Sequence, residues 1–246
     1  MRNFKIVLQY DGMRYQGWQR QVSTDNTIQG KLETLLSKMC EQPVEIQGAG
    51  RTDAGVHAYG QVANFHIDTD KTPSEIMEYM NAYLPEDICV ISCEEKPERF
   101  HARLLAKGKI YQYCIWNSEV KPVFRRKYVH QIPRTLDVEA MQKAADLLIG
   151  THDYQSFTST KRGKKSTVRT VDSIQIERKG EELVFSFKGN GFLYHMVRII
   201  MGTLVETGLG LRKPEDIVSV LEAKDRSKAG HLIPGNGLTL VKVLYE

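Results

Sequence analysis

The sequence predicts an α+β fold of two similar halves, and three observations lead to this interpretation. Several short runs alternate apolar and polar residues, which is the period of a β-strand. Between them lie stretches with apolar residues every three or four positions, which is the period of a helix. In the first half these patterns follow the order βαββαβ, the split unit of ferredoxin-like domains, and the second half repeats that order.

The elements of the first half begin with residues 4–10, which alternate as a strand. Thr27 is the expected cap of a helix over residues 28–39, because it directly precedes the first apolar residue of a helical stripe. Thr72 and Glu75 form a capping box with Pro73 at the first helical position, which predicts a second helix ending near residue 83. The other predicted strands cover residues 44–47, 61–67 and 88–93.

The second half carries the same pattern without strong sequence identity to the first. Its predicted elements are a strand over 107–117, a helix over 138–148, a hairpin of strands 171–177 and 182–188, helices over 192–207 and 214–223, and a last strand over 238–244. We therefore expect two ferredoxin-like domains, residues 1–104 and 105–246. Their sheets could join edge to edge into one extended, mostly antiparallel sheet with helices on one face and a central cleft.

Composition excludes several classes of protein. The 246 residues are 41% hydrophobic, and 34 Lys and Arg against 30 Asp and Glu give a net charge of +4, which permits nucleic-acid binding without requiring it. The four cysteines form no C-x-x-C pair and no histidine pair has zinc-ligand spacing, so we expect no metal site and reduced thiols. No run approaches the roughly 18 apolar residues of a membrane span. A soluble cytoplasmic protein is expected.

The most informative segment is the turn of small residues 48–58, which presents one carboxylate, Asp53. Arg51 stands two positions earlier and is expected to keep Asp53 ionised, since an opposite charge favours the charged form. A single ionised carboxylate in an open turn suits nucleophilic work. The turn fits neither a Rossmann fingerprint, which needs glycine at position 53, nor a Walker loop, which needs Gly-Lys-Ser/Thr. A structural Asx turn is the alternative.

The strand that includes residues 103–114 has two predicted faces. Its odd positions are basic or aromatic, and its even positions are mostly apolar, with Gln112 as the exception. We expect the apolar face to pack inward and the other to meet unpaired RNA, which binds cations and aromatic rings. The odd-numbered face comprises Arg103, Lys107, Lys109, Tyr111 and Tyr113. An ordinary solvated face with tyrosines packed across strands is the alternative.

Arg198 is a charge within an otherwise apolar helix, which predicts that the helix is buried. An arginine in a buried helix needs an anion, and Asp53 is the candidate. A salt bridge to another carboxylate or a side chain reaching solvent is the alternative.

The turn around Asp53, Gly50-Arg51-Thr52-Asp53-Ala54-Gly55-Val56-His57-Ala58, closely resembles the signature of the bacterial-type tRNA pseudouridine synthase A family. The resemblance extends nearly from end to end. It includes Tyr10-Asp11-Gly12, Gly17-Trp18-Gln19-x-Gln21, Thr27-Ile28-Gln29-Gly30, Gly60-Gln61-Val62-Ala63, Phe100-His101-Ala102-Arg103, Tyr111-Gln112-Tyr113, residues 166–171 and Asn190-Gly191-Phe192-Leu193-Tyr194-His195-Met196-Val197-Arg198.

The resemblance assigns roles to five residues. Asp53 matches the catalytic aspartate, Tyr111 the tyrosine that stacks on the target uracil, and Arg198 the arginine that pairs with the aspartate. Arg51 matches an RNA-contacting arginine, and Leu238 an apolar wall of the pocket. The implied reaction isomerises uridine to pseudouridine in the anticodon stem-loop of tRNA (tRNA positions 38–40), with no cofactor and no metal, by a homodimer with an RNA-binding cleft.

Substrate binding is expected to use further basic residues. They are Arg14, Arg103, Lys107, Lys109, Lys161, Arg162, Lys164 and Lys165. Residues 161–165 read as a basic surface loop that meets phosphates, with a solvated charge run as the alternative.

Two departures from the family pattern concern the substrate pocket. Lys109 replaces a usual arginine and cannot form a bidentate fork with a phosphate. Residues 231–237 replace a usual Ala-Pro-Ala core. The rival functions are the same chemistry on ribosomal RNA, a non-catalytic RNA-binding or folding protein, and hydrolysis of the same bond, which normally uses two carboxylates.

Overall fold

The computed structural model describes residues 1–161, 163 and 166–246. Within these residues there are ten β-strands, most of them paired antiparallel, and five α-helices. The predicted α+β class is confirmed.

The chain divides into two compact units, one of residues 1–107 with 239–246 and one of residues 108–238. The expected boundary at 104 lies close to this division. The last strand, however, belongs to the first unit rather than to the predicted second domain, 105–246. The reason is hydrogen bonding, because Thr239 and Leu240 pair in parallel with His57 and Ala58.

The first unit has the predicted ferredoxin-like topology. Its elements are β1 (Arg2–Tyr10), α1 (Ile28–Cys40), β2 (Ile46–Gly48), β3 (His57–Ile67), α2 (Pro73–Tyr83), β4 (Ile88–Lys96) and, at the C-terminus, β10 (Leu238–Leu244). The antiparallel pairs β1·β4, β1·β3 and β2·β3 give the order β4-β1-β3-β2. Strand β10 shares the β2 edge of β3, farther along that strand.

Both helices of the first unit begin where the sequence predicts. The Thr27 hydroxyl accepts from the Gly30 N–H at 3.2 Å, and Thr72 with Glu75 forms the complete capping box of α2. These caps satisfy backbone donors that a helix start leaves open. The Thr27 cap fixes where α1 begins, and α1 is followed by β2, the strand that leads into the Asp53 turn.

The second unit contains a four-stranded antiparallel sheet in the order β5-β9-β8-β7. Its elements are β5 (Gly108–Trp116), β6 (His130–Gln131), α3 (Val138–Asp146), β7 (Gly150–Asp153), β8 (Val168–Lys179), β9 (Glu182–Gly189), α4 (Met196–Gly208) and α5 (Asp216–Ala223). The sequence did not predict β6 and β7, because strands of two and four residues are too short for a periodic signal.

Helix α4 begins at Met196, four residues later than predicted. His195 adopts the left-handed conformation with φ 64°, which ends the helix on its N-terminal side. Just before it, the Tyr194 carbonyl accepts bonds from Thr158 and Ser159 of a preceding segment. These tertiary bonds override the continuous apolar pattern that predicted a longer helix.

Candidate active site

Asp53 lies in the turn that connects β2 to β3, and backbone bonds close this turn at both ends. The Ala49 N–H donates to the Val62 carbonyl at 2.7 Å, and the Val56 N–H donates to the carbonyl of Asp53 at 3.2 Å. Gly55 has φ 75°, a conformation that glycine adopts without strain. The turn therefore has one defined path, and Asp53 lies half-buried within it.

A second turn, around Gly17, supports the Asp53 turn from the side. Gly17 has φ 89°, and a Cβ atom there would lie 2.7 Å from the Thr52 carbonyl oxygen and 3.0 Å from the Asp53 carbonyl carbon. The next residue, Trp18, donates its backbone N–H to the same Thr52 oxygen at 3.0 Å and is nearly fully buried. Glycine is needed at position 17 because the two backbones touch.

Buried polar side chains of the first unit form hydrogen bonds within and to the Asp53 turn. The hydroxyls of Tyr10 and Thr52 are 2.8 Å apart, and the Gln61 amide donates to the Gly50 carbonyl at 2.9 Å. Burial raises the pKa of Tyr10 well above its usual value, so the phenol stays neutral and keeps this bond. Neutral groups of the same unit thus hold the backbone of the turn that carries Asp53.

Arg51 bonds a side chain of the neighbouring Gly17 turn. Its Nε donates to the Gln19 side-chain oxygen at 2.9 Å, and among the described residues no ion pair of Arg51 is found. That its charge keeps Asp53 ionised stays a prediction. The guanidinium lies at the surface with its remaining N–H groups exposed.

Three polar residues without a predicted role connect Arg51 to the interior. They are Gln19, Gln29 and Glu33. The sequence held one signal for them: Gln29 and Glu33 are four apart near the apolar stripe of α1, where a glutamate is out of place unless it is bonded.

Tyr111 lies in the middle of β5, and its side chain is 7% exposed. Its ring and that of Phe192 pack edge to face, with 5.4 Å between the ring centroids and an interplanar angle of 87°. In an edge-to-face contact of this kind, one ring restrains the orientation of the other. Phe192 therefore supports Tyr111, a role that its place in the Asn190–Arg198 motif did not indicate.

The predicted assignment of faces on this strand is wrong. Residues 103–107 form a turn of the first unit, outside β5, so Arg103 and Lys107 share no strand face with the tyrosines. The odd positions of β5 are the buried ones, since Tyr113 and Ile115 are fully inaccessible, whereas Leu104 in the turn is exposed. Alternation correctly predicts two faces, but packing against neighbouring elements decides which is inside.

Arg198 lies near the start of α4. It is half-buried, whereas most residues of this helix are buried. Its Nε donates to the Ile233 carbonyl at 2.8 Å. The Tyr113 hydroxyl donates to the next carbonyl, of Pro234, at 2.8 Å. Burial raises the pKa of Tyr113 and the nearby charge of Arg198 opposes that rise. Arg198 and Asp53 belong to different units, and their expected pairing stays a prediction.

Residues 231–237, which are expected to depart from the family pattern, are therefore bonded to Arg198 and Tyr113. At their end, a Cβ atom on Gly237 would lie 2.8 Å from the Tyr113 ring, and Leu238 follows with only 6% exposure. The predicted apolar wall residue is thus buried beside a closely packed turn.

The other predicted RNA-binding residues lie at separate places. Arg14 is engaged by Asp87, with Nη2 2.6 Å from the carboxylate, and this hydrogen bond raises the pKa of Arg14. Arg103, Lys107 and Lys161 are exposed, and Lys109 is half-buried on β5. The predicted residues Arg162, Lys164 and Lys165 lie outside the described residues.

Neither a metal cluster nor a membrane helix is found in the part of the chain that the structure describes. No three metal-ligating side chains come together there. No helix there has the length and hydrophobicity to cross a bilayer.

Comparison with known proteins identifies the family of this chain. A curated protein of Bacillus sp. (strain KSM-64), named tRNA pseudouridine synthase A, is 49% identical over 230 residues, 94% of each chain. Proteins named tRNA pseudouridine synthase A 2 from Bacillus cereus (strain ZK / E33L) and Clostridium perfringens (strain 13 / Type A) are 45% and 43% identical over the full length of both chains.

The sequence profile of one family matches both parts of the chain. The match covers residues 6–103 and 144–246, which include Asp53, Arg198 and Leu238, and the family is described as tRNA pseudouridine synthase. Together with the full-length relatives, this match shows that the chain belongs to the tRNA pseudouridine synthase family.

Proposed function

We propose that this chain isomerises uridine to pseudouridine in tRNA, with Asp53 as its catalytic aspartate. The observation that carries the proposal is the full-length similarity to relatives named tRNA pseudouridine synthase A. The local structure adds support, since Asp53 lies in a turn that backbone and neutral side-chain bonds hold in one conformation. Catalysis by a single carboxylate requires such a fixed position.

The reaction rearranges one nucleotide without adding or removing a group. The C1′–N1 bond breaks, the uracil turns, and C5 bonds to C1′, after which C5 loses its hydrogen to water and N1 takes up a proton. No electrons are transferred, and we propose that no cofactor or metal takes part. The target base has to leave the helical stack to reach Asp53, as in other enzymes that modify bases.

Tyr111 and Arg198 are proposed to complete the catalytic set. The Tyr111 ring stacks on the detached uracil while it turns, and the edge contact with Phe192 keeps the ring in place. Arg198 supplies the charge that keeps Asp53 ionised. The Ile233 carbonyl accepts a bond from its Nε at 2.8 Å and so anchors the guanidinium. Leu238 helps to exclude water from the reacting sugar.

The substrate is proposed to be the anticodon stem-loop of tRNA, bound by a homodimer in the cytoplasm. Pseudouridine mapping in tRNA from cells without this protein tests the position of modification. Loss of pseudouridine from ribosomal RNA alone would instead assign the chemistry to another RNA. Sedimentation of the purified protein tests the dimer, and a single monomeric species would contradict it.

Tritium release from tRNA labelled at C5 of uracil tests the activity directly. A synthase releases tritium to water, a glycosidase releases free uracil, and a non-catalytic RNA-binding protein releases neither. Asp53→Asn should reduce release by more than about 1000-fold while tRNA binding persists. Asp68→Asn changes an exposed aspartate at the end of β3 and is the matched control. Substantial activity of Asp53→Asn would contradict the proposed role.

The role of Asp53 can be resolved between two chemistries. As a nucleophile, its carboxylate forms an ester with C1′, which hydroxylamine cleaves. As a base, it removes the C2′ proton, so deuterium at C2′ slows the reaction. Tyr111→Phe should retain more activity than Tyr111→Leu, because ring stacking on a base contributes about 5- to 150-fold in affinity.

A further inference from the structure

A continuous line of hydrogen bonds leads from the interior of α1 to Arg51. The carboxylate oxygen Oε1 of Glu33 accepts from Gln29 Nε2 at 2.7 Å. Oε1 of Gln29 accepts from Gln19 Nε2 at 2.6 Å, and Oε1 of Gln19 accepts from Arg51 Nε at 2.9 Å. All four residues belong to the first unit. We call Gln19, Gln29 and Glu33 the relay.

The two ends of the relay fix the direction of every bond in it. A guanidinium can only donate and a carboxylate can only accept, so each glutamine amide has one orientation that satisfies both neighbours. Gln29 is also saturated by two further bonds, from the Arg20 backbone N–H at 3.0 Å and to the Ile46 carbonyl at 3.1 Å. Turning either amide over would place donor against donor and acceptor against acceptor.

Glu33 is the buried anchor of this line, with 5% exposure. Its Oε1 also accepts the Ile46 backbone N–H at 3.1 Å, which ties α1 to β2 just before the Asp53 turn. The Arg20 guanidinium lies 3.2 Å from its Oε2, but no described group donates a hydrogen bond to that oxygen. The contact with Arg20 is therefore Coulombic, and it offsets the cost of burying the carboxylate.

Arg51 is the exposed end of the line. Only its Nε is engaged, by Gln19, and its other four N–H groups have no partner among the described residues. A long exposed side chain loses much rotamer freedom when it is held still for a ligand. The relay holds the Arg51 side chain in place before the ligand arrives. Asp53, two positions later in the sequence, belongs to the same fixed turn.

We propose that Gln19, Gln29 and Glu33 are positioning residues that orient the Arg51 guanidinium toward the RNA substrate next to Asp53. This inference rests on the proposed function. The relay acts by preorganisation, so it contributes to RNA engagement and turnover without touching the RNA itself. It explains why an arginine beside the catalytic aspartate binds an amide instead of that aspartate, since an ion pair would turn its donors away from the RNA.

A double-mutant cycle with Arg51 tests this inference, with kcat/KM for tritium release as the readout. Gln19→Met keeps the side-chain length and removes both relay bonds, and it should lower kcat/KM about tenfold, the effect of one hydrogen bond to a charged group. Arg51→Ala combined with Gln19→Met should be no worse than Arg51→Ala alone. Additive losses would overturn the relay, because Gln19 would then act independently of Arg51.

Conservative and control variants separate positioning from folding. Gln19→Glu still accepts a bond from Arg51 and should retain more activity than Gln19→Met. A purely structural role predicts the reverse, because the carboxylate introduced at position 19 would face the acceptor oxygen of Gln29. Gln21→Ala removes an exposed amide of the same loop, bonded at 2.9 Å to the Gln16 carbonyl, and should match the wild type. Melting temperatures of Gln19→Met and Gln21→Ala should agree within a few degrees.

The failure of this inference differs from failure of the proposed function. If the wild-type protein releases no tritium from tRNA, the proposed function is wrong. If it does, but Gln19→Met has wild-type kcat/KM, the relay has no role in catalysis. Glu33→Gln gives a third result: it keeps an acceptor for Gln29 Nε2 but removes the charge that strengthens this bond, so it should lower kcat/KM even where the melting temperature rises.

Discussion

The substitution Gly202→Ala should damage both stability and catalysis, because Gly202 in α4 is in contact with another backbone. A Cβ atom at this position would lie 1.9 Å from the His231 carbonyl oxygen, whereas ordinary contact begins at 3.4 Å. The carbonyl would have to move by about 1.5 Å. The preceding residue, Gly230, is packed against α4 just as closely, since a Cβ atom added there would lie 2.5 Å from the Thr203 nitrogen.

Two opposing contributions set the magnitude. Alanine is favoured over glycine in a helix by up to about 1 kcal/mol. Forcing atoms into a packed region costs about 1–3 kcal/mol or more when the obstacle cannot relax. We expect a net loss of about 1–2 kcal/mol in the free energy of unfolding, which lowers the melting temperature by about 2–8 °C for a chain of this size.

The loss of activity should exceed what the loss of stability explains. Ile233, two residues after His231, binds Arg198 through its carbonyl at 2.8 Å. Displacing that segment moves the anchor of Arg198, so kcat should fall even at a temperature where the variant is fully folded. The measurements are thermal unfolding and tritium release at that temperature.

Gly208→Ala is the matched control on the same helix. Its Cβ atom would meet the Met141 sulfur at 2.6 Å, and a methionine side chain can move aside. We expect stability within about 0.5 kcal/mol of wild type and unchanged kcat. If Gly202→Ala behaves like Gly208→Ala in both assays, the close backbone contact does not position Arg198 and the reasoning is refuted.

Three further predictions concern a helix cap, a turn and a capping carboxylate. Thr72→Ala should lower the free energy of unfolding by about 0.5–2 kcal/mol by removing the capping box, whereas Ser74→Ala, whose single side-chain bond is 3.4 Å long, should change it little in urea titrations. Gly55→Ala should cost about 1–2 kcal/mol because φ is 75°, and Gly55→Asn should cost less, as measured by melting temperature. A hydrogen bond from Thr167 holds the pKa of Asp153 below its usual value, so its stabilisation is present above about pH 4 and is lost as the pH falls through the lowered pKa. Asp153→Asn should therefore lose less stability than wild type on acidification; an equal loss would contradict the shift.

Local signals predicted the first unit well because its elements begin and end with local chemistry. Thr27 and Thr72 cap the two helices from within the same few residues, so the sequence alone locates them. The path of β10 was not predictable in this way, since its partner His57 lies far away in the sequence.

The candidate site residues were predicted by type, and their catalytic roles stay predictions. The sequence pointed to Asp53, Tyr111 and Arg198, but it gave no sign that Arg51 bonds Gln19. It also placed Tyr113 on the side that faces RNA, although Tyr113 is buried, because a period of two defines two faces without saying which one packs. Both features depend on contacts with residues that are distant in sequence.

Backbone anchoring makes the bonds of residues 231–237 to Arg198 and Tyr113 independent of the side chains in that segment. Arg198 and Tyr113 bind the carbonyls of Ile233 and Pro234, and any residue at those positions supplies a carbonyl. What the arrangement requires is a close approach of the segment to α4, and glycine at position 202 permits it. Side chains there can therefore change while the anchor of Arg198 is retained. Substitutions at Ile233 that keep its buried volume should be far less harmful to turnover than one added methyl group at Gly202, although the Arg198 side chain donates to the carbonyl of Ile233.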